Sequence, residues 1–140
     1  MPKLFVELSI KINAPASRVW AVLTDPAQEY GKEWFHDFVT LDSDWKVGGS
    51  MHWKFSSGLT AEGKISAIKP CSLLSFSFKG GAPKPVNETF KLKEREGTTV
   101  LTVLIGDFES DPVLKHHYYP LAVENWNKYF LPKIKELAEK

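Results

Sequence analysis

The stretch Leu8 to Pro26, LSIKINAPASRVWAVLTDP, constrains this chain more than any other. Leu8, Ile10 and Ile12 alternate with Ser9 and Lys11, the period-two pattern of a strand with one buried face. Pro15 stops that strand, because it has no N–H to donate to a ladder yet sits comfortably at a helix start. Val19, Trp20, Val22 and Leu23 then recur at three- and four-residue spacing, so they share one side of a short helix ended by Asp25-Pro26. A strand that turns at once into an amphipathic helix must bury both apolar faces against something larger.

The rest of the chain supplies it. Leu4 to Ile12 is the first strand and Pro15 to Thr24 the first helix, with a second short helix expected over Ala27 to Trp34. Strands follow at Phe38–Leu41, Met51–Phe55, Ala61–Ile68, Leu73–Phe78, Val86–Glu94 and Thr98–Asp107. Each alternates apolar with polar residues, and the breaks hold turn residues such as Gly48-Gly49, Pro70-Cys71 and Glu96-Gly97. In the fourth strand Ala61, Gly63, Ile65 and Ala67 share the inner phase. From Pro120 the period changes, and Leu121, Val123, Trp126, Phe130, Ile134 and Leu137 form the stripe of a helix of about 20 residues. Pro132 inside it predicts a kink. Short antiparallel strands and one long amphipathic helix give an α+β helix-grip fold. About six or seven strands curve around the C-terminal helix, and two short helices plug one end. Such a sheet leaves a cavity beneath the helix.

The length of 140 residues suits one domain, 1–140. A net charge of +1 with no basic run argues against nucleic acid as a partner. One cysteine excludes an internal disulfide, and no apolar run reaches the ~20 residues of a membrane span. A cytoplasmic location is expected, since the N-terminus has no apolar signal core.

INAPASRVWAVLTDP, Trp34-Phe35, DSDWKVGGS from Asp42 to Ser50, EGKISAIKPCSLLSFSF from Glu62 to Phe78, GTTVLTV from Gly97 to Val103 and the late Trp126 follow a recognisable order. Together they resemble the domain related to the activator of heat-shock-protein-90 ATPase, within the START-like, birch-pollen-allergen-like (SRPBCC) superfamily. The resemblance implies a fold with one internal cavity. That superfamily holds lipid and hormone carriers, polyketide cyclases and chaperone regulators, so function has to be argued from the site. A chaperone partner is among the implications, but the 140 residues lack the additional N-terminal domain of the full-length eukaryotic activator, so direct activation is not the first expectation.

Glu88 is the most informative polar residue. It shares phase with Val86, Phe90 and Leu92, so alternation turns its carboxylate toward the cavity as a polar anchor or general base. The reading preferred for the residue alone is that it lies at the strand's start, near the Gly80–Pro85 loop, and reaches solvent. His36 and Asp107 are weaker acid–base candidates, of use only if they converge with Glu88 in an enzyme of cyclase or hydrolase type. Four scattered histidines and Cys71 lack partners at ligand or nucleophile spacing, so neither a metal nor another cofactor is expected. With 13% aromatic residues, the inferred inner faces carry Trp53, Phe55, Phe76, Phe78, Phe90, Trp126 and Phe130. These rings and Glu88 are the expected lining for a hydrophobic or amphipathic small molecule. The leading expectation is a ligand-binding protein, with the cavity enzyme and the chaperone-interacting module as alternatives.

Overall fold

The computed structural model describes residues 3–25, 29, 38–58, 60–79 and 84–140. Seven strands form one antiparallel sheet: β1 (Val6–Ile12), β2 (Phe38–Ser43), β3 (Ser50–Phe55), β4 (Thr60–Lys69), β5 (Leu73–Lys79), β6 (Val86–Arg95) and β7 (Thr98–Gly106). Their order across the sheet is β1-β7-β6-β5-β4-β3-β2. Strands β2 to β7 are thus a meander, and β1 extends it by pairing with β7 from Val6↔Ile105 to Ile12↔Thr99. The first two strands in sequence become the two edges.

The inner face is the one the alternation marks. Val6, Ile12, Met51, Ile65, Leu74, Phe76, Phe90, Leu92, Leu101, Val103 and Ile105 are all buried. One phase differs from expectation. The register slips between Ile65 and Ala67, so Ala67 pairs with Ser75 and Ile68 with Leu74. This bulge moves Ile68 onto the inner phase in place of Ala67, because the extra residue reverses the facing of everything beyond it. The β6–β7 hairpin turns on Glu96-Gly97, with positive φ at both, the mirror-image two-residue turn that suits the twist of a hairpin.

Helix α1 (Ala16–Thr24) follows β1 as expected, with Ala16, Val19 and Leu23 buried and Trp20 half-buried against the core. Its N-cap is Pro15, which has no side chain to cap with. The cap comes from a distant strand: the Ala16 N–H donates to Glu94 Oε1 at 2.7 Å, and the buried Thr99 hydroxyl donates to the Ala14 carbonyl at 2.8 Å. The strand-to-helix turn is therefore latched to the β6–β7 hairpin. The second short helix expected over Ala27 to Trp34 lies outside the described residues apart from Glu29.

The long helix, α2 (112–139), starts earlier than its apolar stripe suggests. Asp111 Oδ1 accepts the Val113 N–H at 2.8 Å, and Pro112 occupies the first turn, so Asp-Pro and not Pro120 is the start signal. Two turns are widened to π geometry, Leu114–Tyr118 and Trp126–Phe130, and an α-helical segment opening with a proline at its second residue follows each. Tyr119 N–H reaches back to the Leu114 carbonyl and Leu131 N–H to that of Trp126, both five residues away. Pro120 and Pro132 are accommodated by these wide turns, since each removes one backbone bond and crowds the turn before it. Trp126, Phe130, Leu131, Ile134 and Ala138 are buried along α2. The end of α2 is tied to β1: Lys135 Nζ donates to the Lys11 carbonyl and Glu139 Oε2 accepts the Asn13 N–H at 2.7 Å.

Candidate functional site

The inner face between sheet and α2 carries a continuous run of rings. Phe78 meets Trp53 at 5.0 Å between centroids, Trp53 meets Phe76 at 5.8 Å, and Phe76 meets Phe90 at 6.2 Å. Phe90 then meets Trp126 at 5.7 Å, and Trp126 meets Phe130 at 4.9 Å. Six of the seven expected lining aromatics thus join sheet to helix, in the tilted and edge-on arrangements that ring quadrupoles favour. Phe55 lies edge-on to Phe38 of β2 at 5.7 Å. Gly63 on β4 makes room for this arrangement. A Cβ there would lie 3.0 Å from the Trp53 ring and 2.2 Å from the Ser77 carbonyl, so only glycine lets the indole lie across β4.

The run is closed at one end and open at the other. Phe76, Phe90, Trp126 and Phe130 are buried, whereas Trp53, Phe55 and Phe78 are half-buried. Glu88 is itself half-buried. It sits on β6 opposite Phe76 of β5 and Ile105 of β7, with Val86 and Phe90 as its same-face neighbours. A part of the side chain still meets accessible space, and among the described residues no hydrogen bond or ion pair reaches its carboxyl. Burial without a compensating charge pushes its pKa up to about 7, since the ionised form is the one that loses hydration.

The other acid–base candidates do not join it. Asp107 lies just beyond β7, where Oδ1 accepts the N–H groups of Leu4 and Glu109, each at 2.9 Å. The Leu4 and Glu109 amides hold its carboxyl below the usual carboxylate range, so it straps the N-terminal segment to the end of β7. His36 lies outside the described residues. His52 is on the outer face, its Nδ1 3.9 Å from Glu62 Oε1, and His116 and His117 are exposed. Cys71 is half-buried at the edge of the core, in a left-handed turn. Among the described residues no group of three His, Cys, Asp or Glu side chains could hold a metal ion. What the arrangement can do chemically is enclose apolar surface and offer one carboxyl, as donor when protonated or acceptor when ionised.

Two polar side chains are buried. Asn125 is buried beside Trp126, within an otherwise apolar stripe, and Thr99 is fully buried on β7. Nothing in the local pattern separates Asn125 from its exposed neighbour Asn127, because the π turn that follows it changes which side of the helix each faces.

A family model for activator of Hsp90 ATPase homolog 1-like protein matches residues 13–139. No curated protein matches the chain. Solved structures share the fold. A Cytophaga hutchinsonii protein is 25% identical at a TM-score of 0.74, with 99% of this chain and 97% of that one covered. A Mesorhizobium loti protein is 22% identical at a TM-score of 0.77, covering 96% of both chains. An HSP90 activator from Plasmodium falciparum is 16% identical at a TM-score of 0.73, covering 96% of this chain and 95% of that one. With a family model matched across nearly its whole length and a seven-stranded sheet closed over one long helix, this chain belongs to the activator of Hsp90 ATPase homolog 1-like family.

Proposed function

We propose that this chain is a single cytoplasmic binding module, 1–140, that takes a hydrophobic or amphipathic small molecule between its sheet and its C-terminal helix. The observation that supports this most is Glu88: a carboxyl among aromatic rings, without a partner among the described residues. An interior that only had to be filled would place an apolar residue there, because a desolvated carboxyl costs stability. The half-buried rings Trp53, Phe55 and Phe78 supply the apolar contact, and Glu88 receives the polar end of the ligand. Asp107 is occupied by backbone amides, so a two-carboxyl reaction is the weaker reading.

Native mass spectrometry of the purified protein against a panel of fatty acids, sterols and aromatic metabolites tests the module. Retention of one chemical class, weakened by Glu88→Gln for members with a polar end, is the expected result. No retention of any class overturns it. A second reading has its own support, since the family description and the Plasmodium falciparum relative both name Hsp90 activation. Pull-down and ATPase assays with an Hsp90 decide whether this chain also serves a chaperone.

A further inference from the structure

Among the described residues, two polar side chains of the interior have nothing in the protein to pair with. Glu88 is the first: β5 sets Phe76 opposite it, β7 sets Ile105, and Val86 and Phe90 stand before and after it on the same face of β6. Asn125 is the second. It is only 6% exposed, and among the described residues its side chain makes no hydrogen bond. No fully enclosed side-chain oxygen or nitrogen among those residues lacks a partner, so both groups open on accessible space and not onto packed atoms. They meet the core at one ring contact. Glu88 is two residues from Phe90, Asn125 is next to Trp126, and these two rings lie 5.7 Å apart.

The charge around this space has one sign. Among the described residues every His and Arg is exposed, and so is every Lys except Lys133 and Lys135. Lys133 pairs with Glu136 at 3.5 Å, and Lys135 is taken up by Glu139 and the Lys11 carbonyl at the C-terminal end of α2. The titratable side chains that α2 packs on the core are three phenols, Tyr118, Tyr119 and Tyr129, which carry no positive charge in either form. No cation among the described residues therefore stands by Glu88, and none would offset the charge of an anionic ligand.

We infer that the interior site takes an amine: a protonated nitrogen on an apolar body, with the ammonium on Glu88 and the body along Trp53 and Phe78. This rests on the interior binding reading and narrows its ligand. Three properties select the cation. An ammonium brings the counter-charge that the protein withholds, and charge-assisted hydrogen bonds are about twice as strong as neutral ones. Phe76 and Phe90 are the cross-strand and same-face neighbours of the carboxyl, and rings attract a cation within about 6 Å of their centroids. A fatty-acid carboxylate would instead meet a like charge, and an alcohol would leave the carboxylate without its counter-charge. Asn125 offers a carbonyl oxygen as a further acceptor for the ammonium.

The test is isothermal titration calorimetry of the full chain with phenylbutylamine, phenylbutanol and phenylbutyric acid, and with octylamine, octanol and octanoic acid. Only the head group changes within each set. At pH 8 each amine should bind about tenfold tighter than its alcohol, the ratio that one charged hydrogen bond supplies. The amines stay protonated between pH 6 and pH 8, whereas Glu88 ionises near 7 in the free protein. Amine affinity should therefore rise about tenfold across that range while alcohol affinity stays flat. Glu88→Gln removes both the head-group preference and the pH slope, with the alcohols bound as before. Asn125→Leu weakens the amines several-fold and keeps the slope; amines bound as tightly as by the parent would overturn the part given to Asn125. Equal binding of amine and alcohol, or an amine affinity that ignores pH or survives Glu88→Gln, overturns the inference and leaves an interior binding module standing. Binding of none of the probes overturns the interior reading itself, and this inference with it.

Discussion

At the scale of single residues, Glu88 couples folding to pH. Its pKa is raised from 4.5 to about 7 in the folded chain, so the folded state holds the proton more tightly than the unfolded one. Its contribution is fully present below about pH 4.5 and is lost as pH rises through 7. A shift of that size is worth on the order of 3 kcal/mol. Glu88→Gln should therefore match the parent near pH 5 and exceed its stability at pH 8, as read by urea unfolding at both values. A parent whose stability does not fall between these pH values would contradict the burial of this carboxyl. Thr99 is a latch of a different kind. Thr99→Val keeps the shape but strands the Ala14 carbonyl, which should cost about 1–2 kcal/mol in the same assay. Alternation marks Glu88 as inward-facing, but nothing local says whether a carboxyl at that position finds a partner. That depends on what β5, β7 and α2 place around it.

Among the elements, α2 departs furthest from its local pattern. The apolar stripe is real and Pro132 does fall inside it, yet the chain answers both prolines with widened turns. If those turns already absorb the missing bond and the ring's crowding, Pro132→Ala should gain far less than the ~3 kcal/mol that proline costs in a regular helix interior. A change within about 1 kcal/mol by thermal unfolding is expected, and a gain of the full amount would show that the proline is strained. Periodicity at 3.6 residues cannot reveal a π turn, because it assumes the regular turn throughout. The Asp111-Pro112 start is legible as a capping residue followed by proline, and the interior Pro120 offers a competing signal of the same kind.

For the whole molecule, the decisive feature is that β1 pairs with β7 and not with its sequence neighbour β2. That pairing makes β1 an edge of the sheet beside β7 and brings Val6 and Ile12 into the core. It lets β1 receive the end of α2 through Lys11 and Asn13. A chain lacking residues 1–12 should consequently lose cooperative unfolding and associate through the exposed edge of β7, seen as a flat urea profile with aggregation by light scattering. Two buried side chains and a seven-residue ladder are a large part of a typical stability of about 5–15 kcal/mol. The same pairing sets Lys11 two strands from Lys93 in the sheet, although they are 82 positions apart in the chain.

The amino-acid sequence by itself determined the strands, their inner faces, the helix after the first strand and the stripe of the last. These depend on side-chain period and on where glycine and proline interrupt it, which are local properties. It also carried the order of motifs that marks the family. Tertiary structure decided the rest. The cap of α1 comes from Glu94, the inner phase of β4 shifts at a bulge against β5, and Lys11 comes to lie two strands from Lys93. Each of these rests on partners far away in the chain, and a period read along one segment holds no information about which strand will lie beside it.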